Sequence, residues 1–377
     1  MNPNPPNPTA IKTAAATKPE DRSTASVDGG ALLIDKHPGV SSFGVIEALQ
    51  NALMERARRE IADGLRAGPP PRRRDVVTMG HGGTLDPFAT GLLAVCVGRG
   101  VKLARYFLGS RKTYEGVMRF GSSTPTGDPT VPVEARSDVL PESREALVQA
   151  AQAMVGVPYW QIPPMHSAKK IDGKRLYELA QQGIEVERKP KELRLYSFDI
   201  LSYEAPCARF RVECSSGTYI RTLAQDLAKS LGTIAMLDSL HRTASGIHRL
   251  GSTLRTASMN VAEIAEAVLA GKDFSELRAW VPFDRLLDGY DRADATPEQA
   301  LALFQGRQGV LPAILSDVRP GLAGADASTS ELMGLAPGET AAPIAIYSGD
   351  NLVAMARMDH GVWGLERVFI PDTASVS

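Results

Sequence analysis

The 377-residue chain is 43% hydrophobic and 23% charged, the composition of an ordinary globular protein with room for two domains. No apolar run is long enough to cross a bilayer as a helix, and three cysteines (Cys96, Cys207, Cys214) without Cys-x-x-Cys spacing favour buried thiols over a disulfide framework or a zinc site. The net charge of -1 hides an asymmetry: residues 1–260 carry 34 basic and 26 acidic residues, a net of +8, whereas residues 261–377 carry 8 and 17, a net of -9. The thiols point to a reducing compartment, and the cytoplasm is the expected location. The basic larger part points to a polyanionic partner.

Residues 1–28 are rich in Pro, Asn, Thr and Ala without apolar periodicity and read as a disordered tail. They lack the apolar core of a secretory signal, and Glu20, Asp21 and Asp28 disfavour a transit peptide. Ala31-Leu32-Leu33-Ile34 is a buried-strand pattern, and Asp35 to Gly39 a turn. Ser41 and Ser42 are candidate caps for a helix through Val45, Ile46 and Leu49. Residues 60–75, with Gly-Pro-Pro-Pro ahead of Arg72-Arg73-Arg74, read as an inserted surface loop.

At Gly80-His81-Gly82-Gly83-Thr84-Leu85-Asp86-Pro87 a single carboxylate lies among three glycines and a proline. Glycine permits tight turns and close backbone approach, while Pro87 fixes its own φ and biases Asp86 toward extended geometry. Asp86 is therefore expected on a constrained turn. The same Asp-Pro pair is also a good helix start, with Asp86 as N-cap and Pro87 at the first helical position.

Residues 99–119 then gather Arg99, Lys102, Arg105, Arg111, Lys112 and Arg119 against Glu115 alone. Thr113 to Phe120 alternates as a strand with Tyr114, Gly116, Met118 and Phe120 on one side. Lys169, Lys170, Lys174 and Arg175 cluster around Asp172. One such cluster is ordinarily a solvated face; three in one basic region point to RNA or DNA. Ala208 to Cys214 alternates as a strand, Ser215 to Thr218 turns, and Ile220, Leu223, Ala224, Leu227 and Leu231 recur at helical spacing before Gly232. Arg221 thus falls in the first turn of a helix, where a cation opposes the dipole at a cost of a few tenths to about 1 kcal/mol. A carboxylate partner or an anionic ligand would account for it. Farther on, Thr296 to Phe304 looks helical, and Gly349-Asp350-Asn351 joins two short strands, Pro343–Tyr347 and Leu352–Ala356, in a small β-barrel. Residues 311–342 read as an insertion, and no internal repeat or metal-ligand spacing is present.

Four of these segments carry a resemblance. Gly80-His-Gly-Gly-Thr-Leu-Asp-Pro-Phe-Ala-Thr-Gly-Leu-Leu, the run Lys112-Thr-Tyr-Glu with Gly121 and Thr126-Gly-Asp128, the stretch from Pro163-Pro-Met-His to Ala180-Gln-Gln-Gly, and Cys214-Ser-Ser-Gly-Thr-Tyr-Ile-Arg-Thr-Leu-Ala-Gln-Asp-Leu stand in the order found in TruB-type pseudouridine synthases. The chain resembles that family over roughly 31–250 and, more weakly, at the C-terminus. It departs in three places: His37 stands where the family usually has the proline of Lys-Pro-x-Gly, Gly82 stands where threonine is usual, and the 60–75 segment is extra.

The resemblance implies a mixed α/β (α+β) fold. A catalytic domain at 29–295 would surround a mixed, largely antiparallel sheet, and a small PUA-like β-barrel would occupy 296–372. It implies an isomerase that converts uridine 55 of the tRNA T loop to pseudouridine without metal or organic cofactor. Asp86 would be the catalytic carboxylate, as nucleophile or base, and Arg221 its ion-pair partner. Tyr114 would stack on the uracil, Tyr219 and Leu240 would line the base pocket, and His81 would support the flipped base. Lys36 would contact the RNA backbone or support the site. The expected partner is the T stem-loop of tRNA; no membrane and no obligate protein partner are expected, and the protein should be a monomer. A guide-RNA-dependent synthase shares the catalytic core, although Gly183-Ile-Glu-Val-Glu-Arg188 and the lack of a long basic tail favour the stand-alone form. A tRNA-binding or tRNA-folding protein with secondary catalysis is the reading from another class.

Overall fold

The computed structural model describes residues 29–167, 169–171, 173–250, 258–319 and 342–369. The 1–28 tail and most of the 311–342 insertion lie outside them.

Ten strands build the larger sheet: β1 (Gly30–Lys36), β2 (Met79–His81), β3 (Thr90–Val97), β4 (Lys112–Phe120), β5 (Pro158–Gln161), β6 (Lys191–Glu204), β7 (Cys207–Cys214), β8 (Ala235–Ser245), β9 (His248–Arg249) and β10 (Trp280–Pro282). Their order is β10-β1-β3-β8-β4-β7-β6-β5, with β2 beside β3 and β9 beside β8. Every pairing is antiparallel except β3 with β8, which run parallel where Thr90 and Gly91 meet His241 and Arg242. Gly91 is required at that join: its φ is +98°, and a Cβ there would lie 2.4 Å from the Arg242 carbonyl oxygen. The sheet is therefore mixed and largely antiparallel, as expected.

The apolar runs of β1 and β3 are continuous because both faces of those strands are buried. Leu32, Ile34, Leu93 and Val95 face one core, which also takes Val45, Ile46 and Leu49 of α1 (Ser42–Ala62), Leu223 and Leu227 of the helix Ile220–Ser230, and Ile264 and Val268 of the helix Val261–Leu269. Ala31, Leu33, Leu92, Ala94 and Cys96 face a second core on the opposite side. There they meet Tyr106 and Phe107 of α2 (Ala104–Gly109), Phe283, Leu286 and Leu287, and the C-terminal sheet.

That second sheet has five strands, β11 (Arg292–Asp294), β12 (Val318–Arg319), β13 (Ile344–Ser348), β14 (Asn351–Asp359) and β15 (Val362–Val368), in the order β12-β11-β13-β14-β15. It gives Ala345, Tyr347, Leu352 and Met355 to the core it shares with β1 and β3. The hairpin expected at 349–351 is present, with Gly349 at φ +60°. The sheet takes in Arg292–Asp294, just ahead of residue 296. Within the expected insertion, Leu311–Ile314 is a short helix and Val318–Arg319 a strand.

Other local expectations hold. Ser41 caps α1 by accepting from the Gly44 N–H at 2.9 Å. One differs in part: residues 60–62 of the expected 60–75 loop continue α1, and only the mostly exposed remainder lies beyond it, with Arg73 paired to Glu47. The helix Ile220–Ser230 starts where its spacing predicts and stops before Gly232, at φ +71°. No helix among the described residues is long and apolar enough to cross a membrane.

Candidate active site

Asp86 lies on the loop between β2 and β3, and the helix-start reading of Asp86-Pro87 does not hold. Instead the Ala89 N–H donates to the Asp86 carbonyl at 3.1 Å, closing a tight turn with Pro87 at its second position. Proline suits that position as well as it suits a first helical residue, so the dipeptide alone does not separate the two.

The loop is held along its length. The Gly82 N–H donates to the Ala94 carbonyl at 2.8 Å. The Leu85 N–H donates to Ser42 Oγ at 2.8 Å, and the same hydroxyl donates to the Leu85 carbonyl at 3.1 Å. Arg242, fully buried on β8, donates to the carbonyls of Gly83 (3.1 Å), Thr84 (3.4 Å) and Leu92 (2.7 Å). The Pro87 carbonyl accepts from the Gly39 N–H at 2.8 Å and from Lys36 Nζ at 3.2 Å. Buried backbone groups left without partners would cost about 1–3 kcal/mol each, so this set fixes the loop in one conformation.

The helix Ile220–Ser230 presents Arg221 to the loop. Its start is clamped by Gln161, whose side chain accepts from the Tyr219 N–H at 2.8 Å and donates to the Tyr219 carbonyl at 3.0 Å. Arg221 Nε and Nη2 donate to the two Asp86 oxygens at 2.9 and 3.0 Å, a forked pair. The remaining donors reach the carbonyls of Thr126 at 2.6 Å and His166 at 2.9 Å. Asp128 Oδ2 lies 3.6 Å from Arg221 Nη1. Asp128 is itself fixed by Thr126 Oγ1 at 2.8 Å and the Thr130 N–H at 3.0 Å. Arg221 therefore ties three segments together. Of the two explanations for a cation at the start of a helix, a carboxylate partner or an anionic ligand, the Asp86 pair is the first.

Arg221 is 4% exposed and Asp86 31% exposed, so the carboxylate is open to a ligand while its partner is not. Desolvation pushes the Asp86 pKa above the usual carboxylate value of 3.8; Arg221 opposes this by charge and hydrogen bonds, Asp128 adds to the rise and Lys36 lowers it. The forked bond to a permanent cation favours the ionised form. Catalysis that uses the ionised form will then fail as acid protonates it. The acid limb of the single-turnover rate should lie above pH 3.8, and a limb at or below that value would contradict the environment described.

Comparison with known proteins decides what this arrangement belongs to. Residues 72–220 match TruB family pseudouridylate synthase (N terminal domain). A Bordetella avium protein named tRNA pseudouridine synthase B is 42% identical over 218 residues, which cover 58% of this chain and 81% of that one. The chain belongs to the TruB family of pseudouridine synthases. A Dechloromonas aromatica protein of the same name is 36% identical over 295 residues, covering 78% of this chain and 88% of the relative. Among solved structures, a Cbf5-Nop10-Gar1 complex aligns at TM-score 0.59 and 21% identity over 91% of this chain and 85% of that one. An archaeal box H/ACA sRNP Nop10-Cbf5 complex aligns at 0.57 and 19%, over 92% and 87%. These two likenesses are of fold.

The other family positions fall around the Asp86 loop. Tyr114 on β4 pairs with Arg242 across to β8, and Leu240 pairs with Gly116; both side chains are buried in the first core. Tyr219 stands half-buried at the helix start beside Arg221, and His81, also half-buried, ends β2 opposite Val95. Lys36 does not reach outward. It is fully buried and donates to the carbonyls of His37 and Val40, each at 2.8 Å, and to Pro87. Of the two roles open to it, support of the site is the one its contacts serve. Burial brings its pKa down to about 8, partly offset by Asp86.

The 99–119 cluster is less open than its sequence implied. Arg99 lies over the Phe283 ring, Arg105 pairs with Glu366 at 3.3 Å, Arg111 pairs with Glu213 at 3.2 Å and stacks on Tyr196, and Lys112 is buried. Lys102 is exposed. Neutralising Arg99, Lys102, Arg105 and Arg111 together should therefore flatten the log-log salt dependence of tRNA binding by clearly less than the roughly 2.8–3.6 units that four phosphate contacts would give, at roughly 0.7–0.9 each. A change of roughly 2.8–3.6 units would mean that all four contact RNA phosphates.

Sequence reasoning passed over Ser42 as an anchor, Gln161 and Arg242. Arg242 carried a signal: it sits on the inward phase of β8 with Leu240 and Ala244, where an arginine needs buried acceptors. Ser42 and Gln161 carried none, because their partners lie 43 and 58 residues away.

Proposed function

We propose that this chain converts uridine 55 in the T loop of tRNA to pseudouridine, with Asp86 as the catalytic carboxylate. The observation that supports it best is the forked Arg221–Asp86 pair, which presents a fixed, half-open carboxylate at the heart of a family site. The naming of the relatives as tRNA pseudouridine synthases supports tRNA as the substrate. Uridine and pseudouridine are isomers: the N1–C1′ bond breaks, a C5–C1′ bond forms, the C5 proton leaves and N1 gains one. Nothing is oxidised. A carboxylate at the sugar either adds to C1′ or removes a ribose proton, and Asp86 suits both steps.

A uridine in a folded loop must leave its stack to reach Asp86. Tyr114 and Leu240 form the floor for the flipped uracil, Tyr219 a wall beside Arg221, and His81 supports the RNA at the vacated position. Lys36 holds the turn from below. Residues 296–372 serve as a PUA-like unit, and a net charge of -9 over 261–377 argues for shape contacts rather than phosphate binding there.

The test uses purified full-length protein and unmodified transcribed tRNA, with pseudouridine mapped by carbodiimide and primer extension. One new pseudouridine, at position 55, is expected, from a monomer and without guide RNA or protein partner. Chelator should leave the rate unchanged. Modification only at other positions, or only with added guide RNA, would overturn the reading. The guide-dependent alternative shares this fold, but the tRNA-named relatives are the more similar in sequence.

A further inference from the structure

Gly82, one of the positions where the chain departs from its family resemblance, lies against α2. A Cβ built on Gly82 would stand 2.5 Å from Phe107 Cβ and 3.0 Å from its Cγ, too close for any side chain without movement. Phe107 is not free to give way. Its ring stacks on His248, with centroids 5.2 Å apart at 16°. Its carbonyl accepts from Lys112 Nζ at 2.7 Å and Ser110 Oγ at 2.8 Å, and Lys112 also takes the carbonyls of Leu108 and Ser110. On the other side of the contact, Gly82 is bonded to Ala94, and the residues that follow are bonded to Arg242 and Ser42. The loop and the helix are thus two fixed bodies in contact through Gly82 and Phe107, four residues before Asp86.

We infer that Phe107 is a positioning residue for the catalytic step: its side chain, packed on the bare Cα of Gly82, sets where the 82–86 segment and hence the Asp86 carboxylate stand. Misplacing a reacting group by about 1 Å costs on the order of a hundredfold in rate, and close-packed interiors transmit such shifts. A side chain at 82 would push the loop toward the cleft. Trimming Phe107 back to its Cβ would remove the Cγ that a Cβ at 82 would meet at 3.0 Å and the ring that stacks on His248, so that α2 could yield.

The inference rests on the proposed activity, and the experiment separates the two. Single-turnover pseudouridine formation and tRNA affinity are measured for wild type, Gly82→Ala, Phe107→Ala and the double variant, with folding checked by circular dichroism. Gly82→Ala is expected to slow turnover by at least about tenfold with affinity within threefold. Phe107→Ala, which removes the Cγ and the ring, should slow turnover by roughly three- to tenfold through a looser loop, again at constant affinity. The double variant should be faster than Gly82→Ala alone. A rate within twofold of wild type for folded Phe107→Ala overturns the inference, as does a double variant no faster than Gly82→Ala. Should Gly82→Ala not fold, Phe107→Ala still decides; should Phe107→Ala not fold, a Gly82→Ala rate within twofold of wild type overturns the inference. An inactive wild type would sink the proposed function instead.

Discussion

Asp86→Asn is expected to abolish pseudouridine formation while leaving tRNA binding in place. The amide has the shape of the carboxylate but is neither a useful nucleophile nor a base. It also turns an NH2 toward the Arg221 guanidinium, where the carboxylate oxygens accepted at 2.9 and 3.0 Å. The loop's other anchors, from Ser42, Arg242 and Lys36, do not involve the side chain that changes. The fold and the turn should therefore persist. Affinity should change little, because binding is spread over many phosphate contacts. A loss on the order of 10⁴-fold in the single-turnover rate is expected. Activity within tenfold of wild type would remove Asp86 from the catalytic role.

Arg221→Lys separates geometry from charge. Lysine keeps the cation but offers a single ammonium where arginine reaches both Asp86 oxygens and the carbonyls of Thr126 and His166 at once. Only part of that set survives the change. The rate of the chemical step should fall on the order of a hundredfold, or about 2.7 kcal/mol. Affinity for tRNA should change by less than threefold, about 0.7 kcal/mol, because Arg221 is buried behind the carboxylate rather than facing the ligand. A near-normal rate would mean that positive charge alone suffices. A large loss of affinity would mean that Arg221 serves RNA contact instead.

Much of this site was legible in the sequence because its chemistry is concentrated in short runs. Three glycines and a proline around one aspartate pointed to a constrained turn or a helix start, and an arginine at a helix start pointed to a carboxylate partner or an anionic ligand. The alternation of 113–120 and the spacing after Ile220 gave strand and helix, since each records a single buried face. What was hidden depends on distance along the chain. Ser42 reads locally as a helix cap, yet its hydroxyl holds Leu85 from 43 residues away. The basic run at 99–119 reads as a phosphate track, but its acidic and aromatic partners lie on other elements, among them Glu213, Phe283 and Glu366. Nor does Asp-Pro alone distinguish a turn from a helix; the strand that follows decides it.

The core shared by the two sheets ties the C-terminal region to the thermodynamics of the whole chain. Leu33, Leu92 and Ala94 on one side and Ala345, Leu352 and Met355 on the other lose water in one core, together with Tyr106, Phe107, Phe283, Leu286 and Leu287. Neither sheet can melt without exposing apolar surface of its neighbour, at roughly 25 cal/mol for every Å². Heating should thus give one cooperative unfolding transition, with the acidic C-terminal sheet and the basic catalytic sheet disappearing together, and a chain cut before Arg292 would inherit a partly uncovered hydrophobic face along β1 and β3, the strand that leads out of the Asp86 loop.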